Sequence, residues 1–135
     1  MKTLLLILVS IMPIVLFAQV DKIGFTKGEL LNSMQTKPCK SSESDIWFCG
    51  NNGNLINYNF TNDRVSSILY MWEFDTIYSA EKDVAEEIDK NSKIYGKPTI
   101  KDGGAFWFYK EFLIMVKYGL TNGKHYSCWR VSVYK

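Results

Sequence analysis

The sequence predicts an α+β fold: two α-β-β-β repeats forming one antiparallel sheet, with two helices packed on one face of it. Three observations predict this. Two segments carry helix signals at both ends, the rest of the chain switches to an apolar period of two, and the chain matches itself when slid by 60 residues.

The elements follow in order. Lys2, an apolar run over 4–17 and then Phe17-Ala18-Gln19 form the pattern of a secretory signal peptide cleaved near Ala18, too short to span a bilayer comfortably. No cysteine stands at the cleavage point, so lipid attachment is not expected. The remainder, 19–135, suits a single α+β domain with its own core and is too short for two. Sixteen basic against fourteen acidic residues give a formal charge of +2 without any basic run, which speaks against nucleic acid as a partner and against capture by an anionic membrane. The expected location is periplasmic or secreted, with no stable membrane insertion.

In "GFTKGELLNSMQTKP", Thr26 and Glu29 are spaced as a capping box, Phe25 and Leu30 as a hydrophobic staple, and Pro38 forbids continuation. A short amphipathic helix is expected there. Next come Cys39 and Cys49, separated by "KSSESDIWF", which reads as a loop leading into a strand. In an oxidising compartment these two are the favoured disulfide, leaving Cys128 unpaired. With one histidine, His125, and no Cys-x-x-Cys spacing, neither a metal site nor a cofactor is expected.

"LINYNF" alternates Ile56, Tyr58 and Phe60 with polar residues, and "VSSILYMWEF", "FLIMVKY" and "HYSCWRVSVY" are rich in β-branched and aromatic side chains. "GNNGN" and "TNGK" read as turns because Asn and Gly tolerate positive φ. Between these strand runs, a second helix is expected from about Ser79 to the Gly96/Pro98 stop. Val84, Ile88 and Tyr95 face inward, and Glu86, Glu87, Asp89 and Lys90 form a solvated face in which Glu86 and Lys90 are an i,i+4 pair.

Sliding 37–75 onto 97–135 without a gap gives identities at Lys37/Lys97, Pro38/Pro98, Trp47/Trp107, Phe48/Phe108, Tyr58/Tyr118, Thr61/Thr121, Asn62/Asn122 and Ser67/Ser127. Repeat one covers about 24–75 and repeat two about 79–135. In this register "GAFWFY" opens the second sheet segment, so its aromatics mostly fill the core. Gly103-Gly104 then leads into a strand, the reverse of the order a phosphate loop needs.

The same register sorts side chains by face. Leu69 and Met71 match Trp129 and Val131, and these, with Val133, are expected to meet the helices. Ile68, Tyr70, Trp72 and Phe74, together with Tyr126, Cys128, Arg130, Ser132 and Tyr134, are then expected on the open face, joined by Asn57 and Lys117. Seven of these combine large area with polar handles and are the candidate partner-binding residues: Asn57, Tyr70, Trp72, Lys117, Tyr126, Arg130 and Tyr134.

"GFTKGELLNSM" leading into a strand with Trp47 and to "NDRV", and "KIYGKP" running through a Trp to "WRVSVY", resemble the helix-then-hairpin units of the beta-lactamase-inhibitor-protein-like fold of small exported bacterial proteins. The resemblance implies a binding module that grips another protein and carries over no catalytic residue. The absent lipid-anchor cysteine departs from the lipoprotein members.

The functional expectation is therefore an exported, non-catalytic binding protein that contacts a protein partner in the cell envelope through the open sheet face, as an inhibitor, an immunity protein or an envelope accessory factor. Its state as monomer or dimer is open. One alternative is a carrier of a small apolar ligand between sheet and helices. A weaker one is an enzyme using Cys128 as nucleophile, with Arg130 two residues away on the same side.

Overall fold

The computed structural model describes residues 21–134, so the expected leader and its cleavage point lie outside the described residues. Two helices and eight strands follow in the order α1 (Lys27–Ser33), β1 (Lys40–Ser41), β2 (Asp45–Cys49), β3 (Leu55–Thr61), β4 (Arg64–Phe74), α2 (Ile77–Tyr95), β5 (Thr99–Lys101), β6 (Gly104–Tyr109), β7 (Phe112–Thr121) and β8 (Lys124–Val133). The α+β fold with a single antiparallel sheet is as the sequence predicts. Each helix is followed by four strands rather than three, because the short edge strands β1 and β5 lack an apolar alternation that would reveal them. The sheet order β1-β2-β3-β4-β8-β7-β6-β5 places one helix-plus-four-strand unit on each side of a central β4–β8 seam.

The capping box forms at α1. Thr26 Oγ1 accepts from the Glu29 backbone N–H at 3.2 Å, and Glu29 Oε1 accepts from the Thr26 N–H at 3.2 Å. Such a cap stabilises a helix by about 1 kcal/mol, which matters for one of only seven residues. Leu30 is its fully buried contact. The longer α2 starts two residues before Ser79, because Thr76 is the N-cap and accepts from the Ser79 N–H at 3.1 Å. Its surface ion pairs are Lys90 with Glu87 (3.4 Å) and Lys93 with Asp89 (3.1 Å), not Glu86 with Lys90.

Two tryptophans fasten α2 to the sheet. Trp129 Nε1 donates to Asn91 Oδ1 at 3.2 Å, and Trp107 Nε1 donates to the Gly96 carbonyl at 2.8 Å. Both satisfy a buried indole N–H that would otherwise oppose burial. Around them Ile46, Tyr58, Ile68, Val116 and Val131 complete the core between sheet and helices.

Three hairpins close through paired positive φ values, at Asn62-Asp63 (52° and 62°), Asp102-Gly103 (52° and 76°) and Asn122-Gly123 (52° and 73°), the geometry that matches strand twist. Cys39 and Cys49 are joined, as the sequence suggests, with Cα atoms 5.9 Å apart. The bridge pins the start of the β1 border to the end of β2.

One irregularity changes the face assignment. Asn59 pairs with Ser67 but Phe60 pairs with Val65, so Ser66 is an extra residue in β4. Val65 and Ile68, three apart, therefore both point to the helices and are both buried. Downstream of this bulge β4 is one step out of phase with the 60-residue register. Ile68 and Tyr70 pair with Val131 and Trp129 on the helix side, while Leu69 and Met71 pair with Arg130 and Cys128 on the open side. A second phase shift separates the Trp-Phe pairs. A five-residue loop joins β2 to β3, but two residues join β6 to β7, so Trp47 pairs with Asn57 and Trp107 with Ile114. Consequently Trp107 is a core residue and Phe108 is exposed; "GAFWFY" fills the core only in part.

Candidate functional site

The helix-free face of the sheet is ordered in cross-strand rows. Lys40, Trp47, Asn57, Leu69, Arg130, Met115, Phe106 and Thr99 follow one another by direct pairing across all eight strands. A second row runs Leu55, Met71, Cys128, Lys117, Gly104, Lys101. With strands about 4.8 Å apart, Arg130 stands near the middle of this face and Lys117 is its diagonal neighbour.

The expected contact residues divide into three groups. Arg130, Lys117 and Tyr134 are exposed. Arg130 sits between Leu69 and Met115, and neither it nor Lys117 forms an ion pair or side-chain hydrogen bond among the described residues. Tyr134 packs edge-to-face on Phe108 at 5.0 Å, and that phenylalanine is 61% exposed. Asn57 and Tyr126 are on the open side yet buried, so they support the surface rather than offer it. Tyr70 and Trp72 are corrections: the Ser66 bulge turns both to the helix side, where Tyr70 stacks on Trp72 at 5.8 Å and leans on Trp129 at 5.7 Å. Burial pushes the Tyr70 phenol far up, with Tyr58 beside it adding to the shift, and burial also raises Tyr58. Both stay neutral at any physiological pH.

Asn57 belongs to a polar cluster at the β2–β3 end. The Asp45 carboxylate accepts from Ser42 Oγ (2.7 Å), from Trp47 Nε1 (3.0 Å) and from Asn57 Nδ2 (3.4 Å), while Asn57 Oδ1 accepts from Asn59 Nδ2 (2.7 Å). The Ser42 bond, followed by those from Trp47 and Asn57, holds the Asp45 carboxyl below its usual range despite partial desolvation. On the same side Glu73 pairs with Lys124 at 3.2 Å. The first unit thus contributes acids that already have partners.

The strands of the second unit contain no acidic residue at all. Lys101, Lys117 and Arg130 all project on the open side, amid Phe106, Met115 and Leu69. Cys128 lies buried beneath the two central cations. Burial pushes its thiol up, and Lys117 and Arg130 offset that only in part.

Sequence reasoning missed Phe108 and Tyr109, which are 61% and 41% exposed. Tyr109 packs against Tyr95 at 5.1 Å with Lys110 Nζ 5.4 Å from its ring centroid. The two-residue turn Lys110-Glu111 is the signal for Phe108, since against the five-residue β2–β3 loop it sets β6 out of phase with β2. Among the described residues no group of three or more His, Cys, Asp or Glu is placed to hold a metal ion, and no helix is long and apolar enough to cross a membrane.

Compared with protein-family models, with curated proteins and with solved structures, the chain shows no significant match.

Proposed function

We propose that this chain is an exported, non-catalytic binding protein that grips a protein partner across the open face of its sheet. The observation that carries the reading is Arg130: an exposed arginine without an ion pair or side-chain hydrogen bond among the described residues, set between Leu69 and Met115 in the middle of the helix-free face of the sheet. Arginine and aromatic side chains on a rigid platform are the residue types that dominate protein-contact energetics. The exposed Phe108–Tyr134 pair lies on the same face and extends that surface to the sheet's end. The disulfide supports export to an oxidising compartment. The arrangement of two helix-plus-sheet units supports kinship in kind with the exported inhibitors that the sequence resembles, and an inhibitor or immunity role is the form we favour.

The competing readings have less behind them. A carrier needs room between sheet and helices, where Tyr58, Trp107 and Trp129 are already packed. A cysteine nucleophile needs a thiol shifted down, and Cys128 is shifted up.

A photo-crosslinking side chain placed at Lys117, on the open face, and separately at Glu86, on the outer surface of α2, tests the proposal in cells of the source. One specific protein adduct from position 117, absent from position 86, is expected. Adducts from 86 alone, or equal labelling from both, would refute the open-face assignment.

A further inference from the structure

The open face is electrostatically one-sided in a way that specifies what it takes. Its second-unit half holds Lys101, Lys117 and Arg130 with no carboxylate on any of the four strands. The acids of its other half are occupied, Asp45 by Ser42, Trp47 and Asn57, and Glu73 by Lys124. Arg130 and Lys117, without an ion pair or side-chain hydrogen bond among the described residues, stand at diagonal positions whose backbones are about 7–8 Å apart in an antiparallel pair, over a floor of buried Met71 and Met115 and half-buried Leu69.

Resting on the protein-binding reading above, we infer that the partner presents an acidic, partly apolar segment to this face. Its carboxylates pair with Arg130 and Lys117 while its apolar side chains cover the half-buried Leu69 and Phe106. Arginine's fork accepts a carboxylate in bidentate fashion, and the apolar surroundings lower the local dielectric and strengthen the pair. A second copy of this chain does not meet the requirement. Stacking two such faces about a central two-fold axis brings Arg130 near Arg130, and the carboxylates on the described strands of the face, the hydrogen-bonded Asp45 and the Lys124-paired Glu73, do not lie beside that axis.

The test is a selection of displayed random 12-residue peptides on the immobilised protein, followed by affinity measurements on synthetic copies of those enriched. We expect enrichment of Asp and Glu interleaved with Leu, Ile or Phe. Affinity should fall about tenfold or more for Arg130→Gln, by less for Lys117→Gln, and be only partly kept for Arg130→Lys, which retains the charge but not the fork, with a melting temperature unchanged in all three. Enriched peptides that are neutral or basic, or acidic ones indifferent to Arg130→Gln, overturn the inference. If such neutral peptides are lost on Leu69→Asp, the docking face stands and only its acidic preference falls; if no peptide depends on either residue, both fall. Tighter Arg130-dependent binding of a 20-nucleotide single-stranded DNA than of any peptide, or a dimer in sedimentation that Arg130→Gln dissolves, also overturns it.

Discussion

At the scale of single residues, neighbours in β8 perform opposite tasks. Trp129 and Val131 are enclosed by the helices, whereas Arg130 between them is exposed on the other side. Truncating Trp129 removes a filled core position and its bond to Asn91, while truncating Arg130 removes a side chain that touches solvent. The same scale governs pH. Asp45 has a depressed carboxyl in the folded chain, so its contribution to stability is present above the ordinary carboxylate pKa of about 3.9 and is lost as pH falls through the lower folded value. Asp45→Asn should therefore lower the urea midpoint at pH 7, and the gap to the parent protein should close as the pH is taken below about 4. A gap of constant size over that range would show that the charge has no part in it.

At the scale of elements, β4 explains both what the sequence reveals and what it hides. Helix caps, strand runs and turn dipeptides are written in local chemistry, so α1, α2 and the long strands can be read directly. The Arg130, Lys117 and Tyr134 placements followed from period-two alternation within single strands, and those strands are regular. Period two puts Tyr70 and Trp72 on the wrong face because alternation is counted from a chosen origin and Ser66 resets it. Nothing in "RVSSIL" marks a bulge, since the extra residue is defined by its partner strand. Its side chain lies over that irregularity, 2.9 Å from Thr61 Oγ1 and 3.3 Å from the Asn59 carbonyl. Deleting Ser66 regularises the ladder without moving any neighbour to another face, so the variant should fold with a modest loss of stability. Deleting Leu69 instead slips 66–68 by one step even where the bulge absorbs the shift, turning Ile68 to the open side and Ser67 into the core. That should cost at least about 1.5 kcal/mol for the buried aliphatic side chain exposed, with the burial of a serine hydroxyl added to it. Thermal denaturation followed by circular dichroism separates the two; equal effects would contradict the role assigned to the bulge.

At the scale of the whole molecule, the two units are joined along eight paired positions between β4 and β8, from Ser67 with Ser132 to Phe74 with His125. This seam carries Ile68, Tyr70, Trp129 and Val131 into a common core, and α2 rests on β8, β7, β4 and β6, hence on both units. The 60-residue self-similarity is therefore not a pair of independent folds. Segments 21–75 and 76–134 expressed separately should each lack a cooperative melt, and mixing them should restore one. A sharp transition from either segment alone would mean that the seam is dispensable.

The two borders of the sheet are stubs, two residues in β1 and three in β5, and the Cys39–Cys49 bridge holds the first in place. A foreign strand that sought to lengthen the sheet would find almost no backbone template at either margin. Ribbon-like polymerisation is thereby blocked by geometry, and reductive cleavage of the bridge would uncover β2 and open that route.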